Sequence, residues 1–465
     1  MPAESPTNRR GLVLALTTLG SFLTPFMSSS INIALPAIGR EFGLNAKLLG
    51  WVATSFLLAA AVFLVPFGKL ADLRGRRKIF GWGIGLYGLM SFLCAWAPSA
   101  GLLIAFRGGQ GLAGAMIFST AIALLTSVYP TGERGRVLGI NTAAIYVGLS
   151  LGPFGGGILT QAFGWRSLFV VNGILAGLLL VLIAAVLRGE WAAERKEKFD
   201  GAGSVIFALC LLGLMYGLSR LPRLSGLAIL VAGLAAGVGF VLWEGRAAFP
   251  VLNINLFRRN AVFAFSNLAA LINYSATFAV TYFVSLYLQE VKGLSPREAG
   301  IILVVQPVIM AVFSPLTGRL SDKVEPRLLA STGMALSALG LFLFAFLGPG
   351  TTTAYVAAGL AFLGSGFALF SSPNVNAIMS SVDKGAYGVA SATLATMRLT
   401  GQMLSMGLAI LILSLTLGPA RITPERIPDF LRALRFAFLL FAGLCALGVL
   451  ASHARGRMAR DREEG

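Results

Sequence analysis

The sequence predicts an all-α polytopic membrane protein with fourteen transmembrane helices, on three observations. Of its 465 residues 56% are hydrophobic and only 12% charged, against about 25% charged in an ordinary soluble chain. The apolar residues fall into fourteen runs, each long enough for a hydrocarbon core that takes about 20 residues of helix to cross. The connections are too short to hold a soluble domain.

In chain order the runs lie near 11–38, 48–68, 79–97, 101–128, 137–160, 167–187, 201–219, 224–243, 261–289, 298–317, 328–347, 354–380, 386–415 and 433–453, here spans 1 to 14. Span 1 follows Arg9 and Arg10 directly and ends on no small-residue cleavage site, so it is expected to be retained rather than removed as a signal peptide. With a cytoplasmic N-terminus, alternate loops place 24 of the 37 Lys and Arg inside and 11 outside, and leave Arg107 and Arg398 within spans. The positive-inside rule therefore predicts cytoplasmic termini and a multi-pass location in the cell membrane. This bias also accounts for the net charge of +18. A nucleic-acid partner is not expected, because the charge is divided among short loops instead of forming one basic face.

An internal repeat organises the chain. "GKLADLRGRRKIFG" from Gly68 follows span 2, and "GRLSDKVEPR" from Gly318 follows span 10 with the same order of Gly, basic, Leu, small and Asp. "GLAGAMIFST" from Gly111 and "GSGFALFSSP" from Gly364 keep nearly the same offset. The pattern reads as two six-helix bundles, residues 1–190 and 251–465, with an inserted pair of spans in 191–250. Parallel repeats of this kind build transporters with a midplane site between halves.

Four stretches carry a family resemblance that covers essentially the whole chain. They are the loop of Gly68, Leu70, Asp72, Gly75, Arg76 and Arg77, "RGGQG" from Arg107, "GLSLGPFGGG" from Gly148, and "YLQEVKGLSPREAG" from Tyr287. Together they resemble the major facilitator superfamily, in particular its fourteen-helix drug:proton antiporter branch of the EmrB/QacA type. The resemblance implies the major facilitator fold. It implies a gating latch at Gly68, Asp72, Gly75 and Arg76, echoed at Asp322, and a packed hinge at Gly148, Gly152, Pro153 and Gly156 that accompanies export. Leu73 departs from the family's usual Arg, which removes one latch contact.

The residues have their own physical reading. Gly68 and Gly75 permit a tight turn, and Asp72 near a helix end can accept from backbone amides or arginines. Gly148, Gly152 and Gly156 share one helical face that lets a neighbouring backbone approach, and Pro153 bends span 5. Span 10 is the expected neighbour.

No carboxylate lies in the middle of any span. Members of the branch usually carry Asp in span 1 five residues before the Asn of "NIALP", and that position is Met27. A coupled proton is then expected to use Asp72, Glu290, Asp322 or a water chain governed by Arg107. Arg107, roughly 9 Å inside span 4, and Arg398, roughly 18 Å inside span 13, are expensive in lipid and so are functional candidates. Uncharged polar residues expected at a cavity are Asn32 in span 1, Gln110 in span 4, Asn141 and Tyr146 in span 5, Asn273 and Tyr274 in span 9, Gln306 in span 10 and Asn374 in span 12.

Enzymatic chemistry has little to work with. Cys94, Cys210 and Cys445 lie in separate spans, suiting neither a disulfide framework nor a metal site. There is no phosphate-binding G-x-x-x-x-G-K-[ST] loop, and no cofactor is expected. The outer loops offer a membrane transferase only Glu41, Glu290, Glu298, Glu425 and Asp429. The expected function is secondary active export of lipophilic or amphiphilic small molecules by a monomer in the bilayer, coupled to protons. The alternative is export or facilitated passage of neutral or anionic amphiphiles of lipid or isoprenoid type, with unconventional coupling, because two arginines and no acid lie at depth.

Overall fold

A computed structural model describes residues 6–186, 200–247, 250, 252–383, 387–418, 420 and 422–455. All fourteen spans are present as helices: Arg10–Phe42, Ala46–Arg74, Arg76–Ala95, Ala100–Val128, Arg136–Phe163, Arg166–Val186, Gly201–Arg220, Leu224–Glu244, Ala261–Val291, Pro296–Ser321, Pro326–Phe344, Thr353–Ser380, Tyr387–Thr416 and Pro424–Ala454. The chain is therefore a multi-pass, all-helical membrane protein. Below, the near end of a span is the end at which odd-numbered spans begin, and the far end is the opposite one.

Polar residues at the junctions start the helices by supplying acceptors for orphan amides. Asn45 Oδ1 accepts from the Leu48 amide at 2.9 Å, Ser99 Oγ from Leu102 at 3.4 Å, and Asn260 Oδ1 from Phe263 at 2.9 Å. Ser295 and Glu298 form a reciprocal capping box at the start of span 10. Span 14 begins nine residues before its apolar run. Hydropathy fades at Glu425, Arg426, Asp429 and Arg432, but the helix continues because Asp429 pairs with Arg426 at 3.1 Å and Arg432 at 3.5 Å. Span 9 is interrupted at Phe278 and ends in a π turn, Tyr287–Val291. The Ala279 amide after the break donates to Ser405 Oγ at 3.0 Å.

The helices form two compact units. One comprises residues 1–251, 280–304 and 406–433, and the other 252–279, 305–405 and 434–465. In the first, span 1 packs on span 5, span 2 on span 4, span 3 on spans 4 and 6, and spans 7 and 8 on each other. In the second, span 12 packs on spans 11, 10 and 9. Small residues make these approaches possible. Gly111 lies against the Phe56 carbonyl, Gly213 against Gly233, and Gly333 against the backbone of Gly366 and Phe370. In lipid, where no water drives helices together, such close van der Waals contact is a main source of association.

Candidate functional site

Span 4 carries a buried cation whose environment explains how lipid depth tolerates it. Arg107 is 1% exposed. Its Nε donates to the Val52 carbonyl at 3.1 Å, and one terminal nitrogen donates to Gln110 Oε1 at 2.5 Å. Gln110 Nε2 donates to Ser91 Oγ at 2.8 Å, and Ser91 Oγ to the Tyr87 carbonyl at 2.7 Å. The Tyr87 hydroxyl donates to the Leu23 carbonyl at 3.3 Å. The Phe56 ring lies 4.9 Å from the guanidinium, within cation–π range. No carboxylate pairs with Arg107 among the described residues. Carbonyl dipoles, an amide and a ring replace a counter-ion, and the chain of bonds ties spans 1 to 4 together. Ser91 and Tyr87 were not among the sequence candidates, since a Ser and a Tyr in an apolar run carry no distinguishing signal.

Met27 is fully buried, and its sulfur accepts from Asn172 Nδ2 of span 6 at 3.4 Å. Asn141 is buried with Oδ1 lacking a partner among the described residues, and Tyr146 is half-buried. The glycine face of span 5 meets span 1 and not span 10, a correction to the expected partner. Gly148 lies against Phe22 and Phe26, Gly152 against Ser29 and Phe26, and Gly156 against Ser30. Ser30 Oγ seals this contact by donating to the Gly152 carbonyl at 2.9 Å. Span 10 meets the adjacent face, where Gly157 lies against Pro296 and Arg297, and Gly300 against the Pro153 carbonyl. Successive residues are about 100° apart around a helix, so the i, i+4 glycines and Pro153 with Gly157 address different neighbours.

In the loop after span 2, Gly75 has φ 108°, a region that L side chains avoid. This turn brings Asp72 and Arg76 together at 2.8 Å. Arg76 also donates to the Ala123 carbonyl of span 4 at 3.1 Å. Gly68 lies within the helix Ala46–Arg74 and not in the turn, a correction to its expected role, and makes ordinary contact with Ser119. The side chain of Asp322, in the repeated loop, lies outside the described residues. The Asp72–Arg76 pair is part-exposed and worth about 0–1 kcal/mol, so Asp72→Asn is expected to fold normally. If the turn is a latch, Asp72→Asn and Gly75→Leu slow conformational exchange while substrate affinity holds. Stopped-flow exchange beside equilibrium binding checks this, and lost affinity with normal exchange would count against a latch.

Asn273, Tyr274, Gln306, Asn374 and Arg398 belong to the second unit. Asn273 is fully buried with both side-chain polar atoms unpartnered among the described residues, Tyr274 stacks edge-on against Phe367, and Gln306 is half-buried. Asn374 is 1% exposed and donates to the Ser266 carbonyl at 3.1 Å. Its Oδ1 accepts from Arg455 at 3.1 Å, so it serves a second buried cation. Arg455 also reaches Ser266 Oγ at 3.2 Å, the Pro326 carbonyl at 3.2 Å, and both the carbonyl and hydroxyl of Ser452. Burial pushes its guanidinium down to about 10, with nearby Glu325 opposing the shift. Arg455 was not among the sequence candidates, because an arginine just beyond the last apolar run has the position of a topology signal. Arg398 differs from both. It is half-buried and has no hydrogen bond or ion pair among the described residues. Glu290 at the far end of span 9 pairs with Arg40 of span 1 at 3.1 Å.

Known proteins resemble this chain along most of its length. Residues 17–406 match the Major Facilitator Superfamily, as do residues 266–463 in an overlapping match. Multidrug resistance protein Stp of Mycobacterium tuberculosis is 32% identical over 86% of this chain and 75% of its own. Cephamycin export protein CmcT of Amycolatopsis lactamdurans is 33% identical over 88% of this chain and 85% of its own. Among solved structures, a bacterial homologue of the human lysosomal transporter Spinster, in an inward-facing and occupied conformation, superposes with a TM-score of 0.71. That match has 18% identity and covers 97% of both chains.

Proposed function

Because the chain belongs to the Major Facilitator Superfamily, we propose that it exports lipophilic or amphiphilic small molecules by alternating access, as a proton-coupled member of the fourteen-helix drug:proton antiporter branch. The family and the fold point to a transporter. The observation that carries export is the likeness to Stp and CmcT, relatives named for multidrug resistance and for export, over more than four-fifths of this chain. The moving bodies in this reading are residues 1–190 and 251–465, with termini on the cytoplasmic side. Production in a pump-deficient bacterium tests it. Accumulation of a fluorescent lipophilic dye should fall and recover when an uncoupler is added. Equal accumulation with and without the protein, across cationic, neutral and anionic dyes, would overturn it.

Arg398 favours a second reading, export of neutral or anionic amphiphiles. It is a half-buried cation without a protein partner among the described residues, and Met27 occupies the position where the resemblance implies an acid. Arg398→Ala is then expected to weaken an anionic amphiphile by about 2–5 kcal/mol, the range for truncating one partner of a buried charge pair, while a neutral analogue binds as before. Titration of both ligands against the purified variant measures this. Parallel losses for both, with a lower melting temperature, would assign Arg398 to the scaffold.

A further inference from the structure

We propose that the far ends of spans 1 and 9 form a hydrogen-bonded gate, in which Ser285 clasps the carbonyl group that Pro36 leaves free in span 1 and Gln289 clasps the neighbouring one. Pro36 has no amide hydrogen, so the Asn32 carbonyl one turn earlier loses its helical donor, and the proline ring pushes that turn open. In a dry interior such a carbonyl needs another partner. Ser285 Oγ supplies it, donating to the Asn32 carbonyl at 2.7 Å. Gln289, one turn on and on the same helical face, donates from Nε2 to the Ile33 carbonyl at 3.1 Å and to Ser285 Oγ at 3.1 Å. Both side chains are buried, Ser285 completely.

Neighbouring bonds follow the same seam. The Tyr282 hydroxyl donates to the Ala46 carbonyl at 3.3 Å, and Glu290 pairs with Arg40 at the exposed rim. Span 9 ends in a π turn, where the Lys292 amide reaches back five residues to the Tyr287 carbonyl. Single π turns inside helices recur at functional positions. The buried bonds are neutral, and only the rim is charged. A few neutral bonds can be exchanged for water when the seam parts, whereas a buried ion pair would hold it shut. Gln289 Oε1 is buried with no partner among the described residues while the clasp is closed.

The test uses the full chain in detergent, with no substrate present, so its result is separable from that of the export reading. Cys94, Cys210 and Cys445 are changed to Ala, and a single reporter, Ala46→Cys, is placed under the Tyr282 bond, where Ala46 is 2% exposed. Reaction with a water-soluble maleimide then reads opening of the far end. Ser285→Ala should raise the labelling rate roughly three- to ten-fold, the factor expected for one neutral hydrogen bond, and Gln289→Leu by a similar factor. Ser285→Thr keeps the hydroxyl and should label at the parental rate.

Pro36→Ala supplies the missing amide, so Ser285→Ala added to it should change the rate by less than about twofold, because the Asn32 carbonyl is then bonded within its own helix. Equal effects of Ser285→Ala with and without Pro36, or parental labelling in both Ser285→Ala and Gln289→Leu, would overturn the proposal. So would Ser285→Thr matching Ser285→Ala. If Ser285→Ala fails to give a monodisperse protein, Ser285→Val set against Ser285→Thr, each with and without Pro36→Ala, decides in the same way.

Discussion

Gly152→Leu is expected to abolish transport while the protein still inserts in the membrane. A side chain at 152 has nowhere to go, since the space its Cβ would need is held by Ser29 Oγ and the Phe26 carbonyl of span 1. Overpacking a close contact costs about 1–3 kcal/mol. Here backbone is one of the obstacles, so spans 1 and 5 must separate, and the bond from Ser30 to the Gly152 carbonyl is lost with them. Gly177→Ala in span 6 is the matched control. A Cβ there meets nothing within 4 Å, and its melting temperature and transport should equal the parent's. Size-exclusion profiles, melting curves and transport rates of both variants check this. Parental transport by Gly152→Leu would reduce span 5 to ordinary packing. Pro153→Ala, which straightens the helix without adding bulk, should impair transport with a smaller loss of stability.

Arg107 gives the second large effect, and two substitutions separate charge from packing. Arg107→Ala removes bonds to Val52 and Gln110, each a hydrogen bond to a charged group worth about 1.5–3 kcal/mol, and leaves Gln110 Oε1 unsatisfied. A fall of many degrees in melting temperature is expected. Arg107→Met fills most of the space without the charge, restoring packing and removing the cost of a buried cation, although the Val52 and Gln110 acceptors stay unsatisfied. It should recover much of the lost stability. If Arg107 takes part in proton movement, the methionine variant transports with an altered pH profile. Arg107→Lys keeps the charge but lacks the planar fork that reaches Val52 and Gln110 together, so it should rescue incompletely. A methionine variant with parental rate and pH profile would make Arg107 purely a tie between helices.

Most of the fold was legible in the sequence because lipid imposes one rule, an apolar run of fixed length, and the chain follows it fourteen times. The ends were less legible. Span 14 starts among charges that pair along the helix, where hydropathy and hydrogen bonding part company. The site was legible only as residue types. Arg107 and Gln110 stood out because a charge or an amide in an apolar run is costly, and Gly75 because a tight turn needs it. Ser91, Asn172, Ser285 and Gln289 were not recognised, since each matters through a partner many residues away that no local pattern announces. Arg455 was not recognised because the same residue type both sets topology and, when folded inward, holds neighbouring helices together. Pro36 was visible in the sequence, but which donor answers its missing amide depends on packing.

Flux through the purified protein in sealed liposomes tests the claim of proton-coupled export most directly. An anionic amphiphile, a neutral one and a lipophilic cation are each loaded, and an inward proton gradient is imposed and then collapsed. The account predicts that at least one of the three leaves faster under the gradient, that collapse removes the acceleration, and that Gly152→Leu shows neither. Flux that is identical with the gradient, without it and in Gly152→Leu for all three compounds would contradict it.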